Sequence, residues 1–140
     1  MGTRLTALLF ALALAPVSSS ACSIPVQIML DFQENSAELD RTQIIRLANW
    51  LDKVRHWYEY GDADVEGSAS TDAPDSKNLA KRRAEVTARA LHSLYAGLPI
   101  RSSGNSYPKS ESSNRNYAVV QLNQTNLPDC NPVPIPGFKR

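Results

Sequence analysis

The segment Val65 to Val86, VEGSASTDAPDSKNLAKRRAEV, concentrates the side chains that could do chemistry, and Arg83 is the one that breaks its pattern. At about 3.6 residues per turn, Leu79, Arg83, Val86 and Ala90 share one stripe of a helix, with Thr87, Leu91 and Leu94 on its flank. A guanidinium set into that apolar face needs a partner anion, because an unpaired buried charge is too costly. The partner is either internal, Asp72 or Asp75, or the carboxylate of a ligand, and a structural ion pair is as good a reading as a ligand contact. Lys81, Arg82, Glu85 and Arg89 fall on the polar side, where Lys81 to Glu85 and Glu85 to Arg89 are ordinary i,i+4 spacings. Ser68, Ser70 and Thr71 place hydroxyls in the turn before the helix. No G-x-S-x-G elbow surrounds them and neither histidine has a catalytic role, so they read as turn residues that bond backbone, and no enzyme activity is expected. His56 and His92 have no Cys, Asp or Glu at ligand spacing, so neither a metal nor another cofactor is expected.

These side chains need a scaffold, and the patterning predicts one. Val26 to Phe32 alternates Ile28, Leu30 and Phe32 against Gln27, Met29 and Asp31, which is a half-buried strand. Asn35 falls in the turn after it. A helix follows: Asp40 and Gln43 have capping-box spacing, Ile44, Leu47, Ala48, Leu51 and Val54 form the inward stripe, and the helix is expected to end near Tyr58. Trp57 and Tyr58 are expected to pack under that end, and Trp50, off the stripe, to offer a contact surface. Asp62 to Gly67 is a second strand, and Ser76 to Tyr95 a second helix closed by Gly97 and Pro99. Ile100 to Ser103 and Tyr117 to Leu122 supply two more strands, with the polar stretch Ser102 to Asn116 between them as a loop. Within it, Arg115 is expected to pair with an acidic neighbour. The β-α-β-α-β-β order implies an α/β domain, an α+β two-layer sandwich with helices on one face of a mixed four-stranded sheet.

The N-terminus bounds the compartment. Met1 to Arg4 is a short basic start, Leu5 to Val17 an apolar run and Ser18 to Ala21 a small-residue exit, so residues 1–21 read as a secretory signal peptide. The chain carries 15 Lys and Arg against 14 Asp and Glu; loss of Arg4 with the leader leaves a formally neutral protein. That gives no basic field for nucleic acid or anionic lipid, and no nucleic-acid partner is expected. Residues 22–124 make one domain, and 125–140 a Pro-rich tail without regular hydrogen-bonded structure. Only Cys22 and Cys130 exist. Acylation of Cys22 would tether the domain to a membrane, although Ser19 stands where a lipoprotein signal usually has Leu and Cys130 would remain a free thiol. Ordinary cleavage leaves an even pair that can form a Cys22–Cys130 disulfide in an oxidising compartment, which would contribute up to about 4–5 kcal/mol in the chain-entropy account.

Four pieces in register resemble OmpA-like domains, the peptidoglycan-associated module of outer-membrane proteins and lipoproteins. Val65-x-Gly67-Ser68-Ala69-Ser70 followed by Leu79-Ala80-x-x-Arg83-Ala84 is similar to the family's strand-turn-helix signature. Asp31 to Leu39, DFQENSAEL, resembles its first strand and "NSA-x-L" turn. Gly104 and Pro108 stand where its Gly-rich loop ends, and Asn114-Arg115 where its last strand opens. The resemblance covers Val26 to Gln124. It implies a periplasmic, non-catalytic module of a Gram-negative envelope, associated with the outer membrane, that recognises diaminopimelate in the peptidoglycan stem peptide. Arg83 would then take the carboxylate, Asp72 or the hydroxyls of Ser70 and Thr71 the ammonium, and Asn78 a backbone contact. The family's ligand aspartate position reads Ser70 here, Thr71-Asp72 follows two residues late, and the turn is shorter. The alternative implied by those departures is a domain that has lost peptidoglycan and binds another envelope protein, as a secretion-system accessory or an immunity protein against a toxin.

Overall fold

Strand β1 (Val26–Asp31) and strand β4 (Tyr117–Gln124) pair antiparallel, so the start of one lies beside the end of the other, with Val26 opposite Leu122. The computed structural model describes residues 25–126; the expected signal peptide, Cys22, Cys130 and the tail beyond Asn126 lie outside them. Helix α1 (Arg41–Val54), strand β2 (Tyr60–Ser70), helix α2 (Ser76–Leu94) and strand β3 (Ile100–Tyr107) complete the element order β-α-β-α-β-β. The sheet runs β1-β4-β2-β3, with β2 parallel to β3 and the other pairs antiparallel. It is the mixed four-stranded sheet that the patterning implies.

The core lies between the sheet and the helices. Leu30, Ala63, Val65, Ala118, Val120 and Leu122 from the strands meet Leu47, Leu51, Val54, Ala84 and Leu91 from the helices. The opposite sheet face carries charged and polar side chains of β2, β3 and β4. There Arg101 grips Asp64 through two hydrogen bonds of 2.7 and 3.0 Å and reaches Asp62 at 3.1 Å, tying edge strand β3 to β2. The bonds from Arg101 and then Asn123 hold the Asp64 carboxyl below its usual range.

Several local expectations are corrected. Strand β3 continues to Tyr107 rather than ending at Ser103, because its backbone pairs with β2 up to Ser70 opposite Tyr107 whatever its polar side chains. Helix α1 stops at Val54, not near Tyr58: Trp57 N–H turns back to the Val54 carbonyl at 2.9 Å, and the Tyr60 hydroxyl donates to the same oxygen at 2.8 Å. Ile44 is 39% exposed and Gln43 takes the inward position instead. Asp40 caps α1 as expected, accepting from Gln43 N–H at 2.9 Å, but the Gln43 side chain does not close a capping box. Its Oε1 accepts from Asp31 N–H and from Arg46 instead, pinning α1 to the end of β1. The tryptophans exchange roles: Trp50 packs against the core, whereas Trp57 is 61% exposed.

Candidate functional site

Residue Arg83 is the largest fully buried side chain, at 0% exposure. Its partners are not carboxylates. Nε donates to Ser36 O at 2.8 Å, Nη1 to Ser68 O at 2.8 Å and Nη2 to Gln33 O at 3.0 Å, while the guanidinium lies 5.4 Å from the centre of the Phe32 ring. The internal partners that the sequence offers as one alternative, Asp72 and Asp75, make no ion pair with it among the described residues. Burial, then the nearby charge of Arg82, pulls the Arg83 pKa below the usual arginine value, but an arginine stays charged in a protein. Three carbonyls supply the negative ends of their dipoles in place of an anion. The result joins helix α2 to strand β2 and to the turn after β1, where Asn35 adopts the left-handed conformation at φ 57°.

That turn forms one wall of a cleft of about 430 Å³. Glu34 and Asn35 line it from the β1–α1 turn, Ser70, Asp72, Ala73 and Pro74 from the β2–α2 turn, and Lys109 to Asn116 from the β3–β4 loop. The elements explain why these three segments meet. Strands β1, β2 and β3 end at the same edge of the sheet as β4 begins, as the pairings of Asp31 with Tyr117 and Ser70 with Tyr107 fix. The β2–α2 turn is held by its own backbone. Thr71 N–H donates to Tyr107 O at 2.9 Å, Ala73 N–H to Ser70 O at 3.0 Å, and the Ser70 hydroxyl accepts from Asp72 N–H at 3.4 Å.

Five charges surround the cleft: Glu34, Asp72 and Glu111 against Lys109 and Arg115. None of them makes an ion pair among the described residues, so the acidic neighbour expected for Arg115 is replaced by the main-chain carbonyl of Pro108. An opening lined by unpaired charges of both signs suits a zwitterion better than a simple anion or cation. Among the residues singled out from the sequence, Ser70 and Asp72 line this cleft. Thr71, Asn78 and Arg83 do not. Thr71 is exposed beside it, Asn78 is turned to Asp75 Oδ2 at 3.0 Å, and Arg83 lies behind the wall. Sequence reasoning passed over Glu34, Lys109 and Glu111. The available signal was three charges, Lys109, Glu111 and Arg115, within an otherwise uncharged Ser and Asn loop. Among the described residues no cluster of His, Cys, Asp or Glu could hold a metal ion.

No protein-family model matches the chain, and no curated protein does. Solved structures do match in fold. The periplasmic domain of Helicobacter pylori MotB aligns with a TM-score of 0.54 at 14% identity, over 71% of this chain and 83% of that one. The cell wall anchor of the type VI secretion system (T6SS) of Pseudomonas aeruginosa gives 0.51 at 16% identity, over 70% and 80%. The OmpA-like domain of FopA1 from Francisella tularensis subsp. tularensis SCHU S4 gives 0.50 at 17%, over 71% and 75%. With two helices on a sheet of order β1-β4-β2-β3, this chain has the OmpA-like fold.

Proposed function

We propose that the protein is a non-catalytic binding module of the Gram-negative cell envelope that recognises the peptidoglycan stem peptide. The observation that supports this most is the cleft at the strand ends, lined by Asp72, Glu34 and Glu111 together with Lys109 and Arg115, none of them in an ion pair among the described residues. Diaminopimelate carries an ammonium and a carboxylate on one carbon at its side-chain end, so it needs one acceptor and one donor a few ångströms apart. Asp72, with the Ser70 hydroxyl beside it, is the acceptor for the ammonium. The cell wall anchor among the fold neighbours is a precedent for such a use of this architecture. Co-sedimentation of the purified protein with sacculi at low salt tests the reading, and wild-type protein left in the supernatant ends it. In the bound case Asp72→Asn, which keeps the turn but removes the charge, is expected to weaken binding by about tenfold, the equivalent of about 1.4 kcal/mol. Its thermal midpoint should stay close to wild type, since Asp72 is exposed and its side chain makes no hydrogen bond among the described residues.

A second reading is a module that binds another envelope protein. The observation that favours it is that Arg83 is fully engaged with main-chain carbonyls, and Ser70 stands where the resemblance implies an aspartate. A protein that ignores sacculi yet is cross-linked to one envelope protein in cells would establish this alternative.

The two cysteines determine how the module is held. Because Val26 lies opposite Leu122, the start of β1 and the end of β4 lie at the same end of neighbouring strands, which supports a Cys22–Cys130 disulfide. The exported protein is expected to have the mass of the cleaved chain, two protons lighter than after reduction, and to be unreactive to a thiol reagent until reduced. A large added hydrophobic mass with partition into detergent would show acylated Cys22 instead.

A further inference from the structure

We infer that Arg115, and not Arg83, is the residue that receives the ligand carboxylate in this cleft, and that it sets the preference for a stem peptide whose third residue carries a second carboxylate. The inference rests on the stem-peptide reading and assigns the half of the site that reading leaves open. Arg83 cannot take this part in the arrangement observed: all three of its nitrogens donate to carbonyls, it is wholly buried, and it does not line the cleft. Arg115 lines it.

The Arg115 guanidinium is braced on two sides. Nε donates to Pro108 O at 3.0 Å, and the group stacks 5.6 Å from the centre of the Tyr107 ring. The ring is itself fixed, since the Tyr107 hydroxyl donates to Glu66 Oε1. That bond, followed by burial, raises the Tyr107 pKa and keeps the phenol neutral, so the platform under the cation carries no charge that would compete for it. With Nε and one face occupied, Nη1 and Nη2 have no partner among the described residues. A guanidinium held in one orientation with its two terminal nitrogens unbonded presents a planar fork that matches the two oxygens of a carboxylate, and little side-chain freedom remains to be lost on binding. Lys109, on the same loop, adds a positive charge without that geometry. The acids Glu34 and Asp72 from the other two segments, with Glu111 on the same loop, disfavour a ligand that is only anionic.

The test uses the processed protein and two soluble muropeptides that differ only at the third residue, meso-diaminopimelate in one and lysine in the other. Both carry the side-chain ammonium; only the first has the second carboxylate. Wild type is expected to bind the diaminopimelate peptide at least about tenfold more tightly, the range for a charge-assisted bidentate contact. Arg115→Ala is expected to lower its affinity to that of the lysine peptide, leaving the lysine peptide's own affinity within about twofold. Arg115→Lys, which keeps the charge on this partly exposed loop residue, should recover little of the preference because the fork is gone, and it carries the test should the alanine variant unfold. Retention of the wild-type preference by a folded Arg115 variant overturns the assignment while leaving the stem-peptide reading in place. Absence of binding by wild type to sacculi and to both peptides overturns both together.

Discussion

Replacing Arg83 with Ala is expected to cost the domain about 3 kcal/mol or more of folding stability, because it removes three hydrogen bonds to main-chain carbonyls and opens a void in the core. For a domain of this size that is a fall in Tm on the order of 12 °C or more. The carbonyls of Gln33, Ser36 and Ser68 belong to two separate elements, and Arg83 on a third holds them together. Loss of the side chain therefore releases the β1–α1 turn as well as emptying space. Arg83→Met, which restores most of the volume but none of the donors, should recover only the cavity component. Arg83→Lys keeps the charge and a set of donors, but its shorter reach and compact head cannot span carbonyls spread around a planar fork, so a partial rescue is expected. Thermal unfolding followed by far-UV circular dichroism orders the three variants. A Tm close to that of wild type for Arg83→Ala, with sacculus binding lost, would return Arg83 to the ligand and remove the ground for assigning that role to Arg115.

This residue also marks where the sequence stops being legible. Its place on an apolar stripe announces that Arg83 is buried and needs acceptors, since that inference uses only helical period and the cost of an unpaired charge. Which acceptors it finds depends on residues 47 and 50 positions away in the chain, and no local rule reaches them. The same division runs through the fold. Asp40 as a cap, the alternation of Ile28 and Leu30, and the close of α2 before Gly97 at φ 84° are decided within a few residues and are readable from them. Strand β3 is readable only to Ser103, because Gly104, Asn105 and Ser106 carry no strand propensity and are held by pairing with β2. Gln43 against Ile44, and Trp50 against Trp57, lie at the margins of a helical stripe or at a helix end, where one turn of tertiary packing decides which side chain goes in. The cleft is half legible. Ser70 and Asp72 stand next to the signature that draws notice to them, whereas Glu34, Lys109 and Glu111 acquire meaning only when three strand ends are brought to one edge.

Two of the residues that carry the family resemblance, Gly67 and Gly104, have a physical role that the pattern alone does not state, and it leads to the second large effect. They are partners in the β2–β3 register, and helix α2 crosses directly over them. A Cβ placed on Gly67 would overlap Ala80 O and lie 2.6 Å from Ala84 N, and one on Gly104 would overlap Lys81 N and lie 2.6 Å from Lys81 Cα. The obstructing atoms are backbone, so no side chain can swing aside. Gly67→Ala therefore has to lift α2 from the sheet, and with it Arg83, which sits between Ala80 and Ala84 in the chain and needs Ser68 O at 2.8 Å. Loss of close packing combined with loss of a triple hydrogen-bonded anchor is expected to destabilise by about 3 kcal/mol or more, with a protein that retains secondary structure but loses its near-UV signal if it survives at all. Gly97→Ala provides the contrast within the same chain. Gly97 has φ 84° and nothing within 4 Å of the position a methyl group would take, so that variant suffers only local backbone strain, about 1 kcal/mol. The two substitutions are chemically identical, and the expected gap between their midpoints, with Gly67→Ala lower by about 8 °C or more, measures the close approach of helix to sheet. Equal midpoints would mean that α2 does not rest on Gly67, and the anchoring of Arg83 on Ser68 would fall with it.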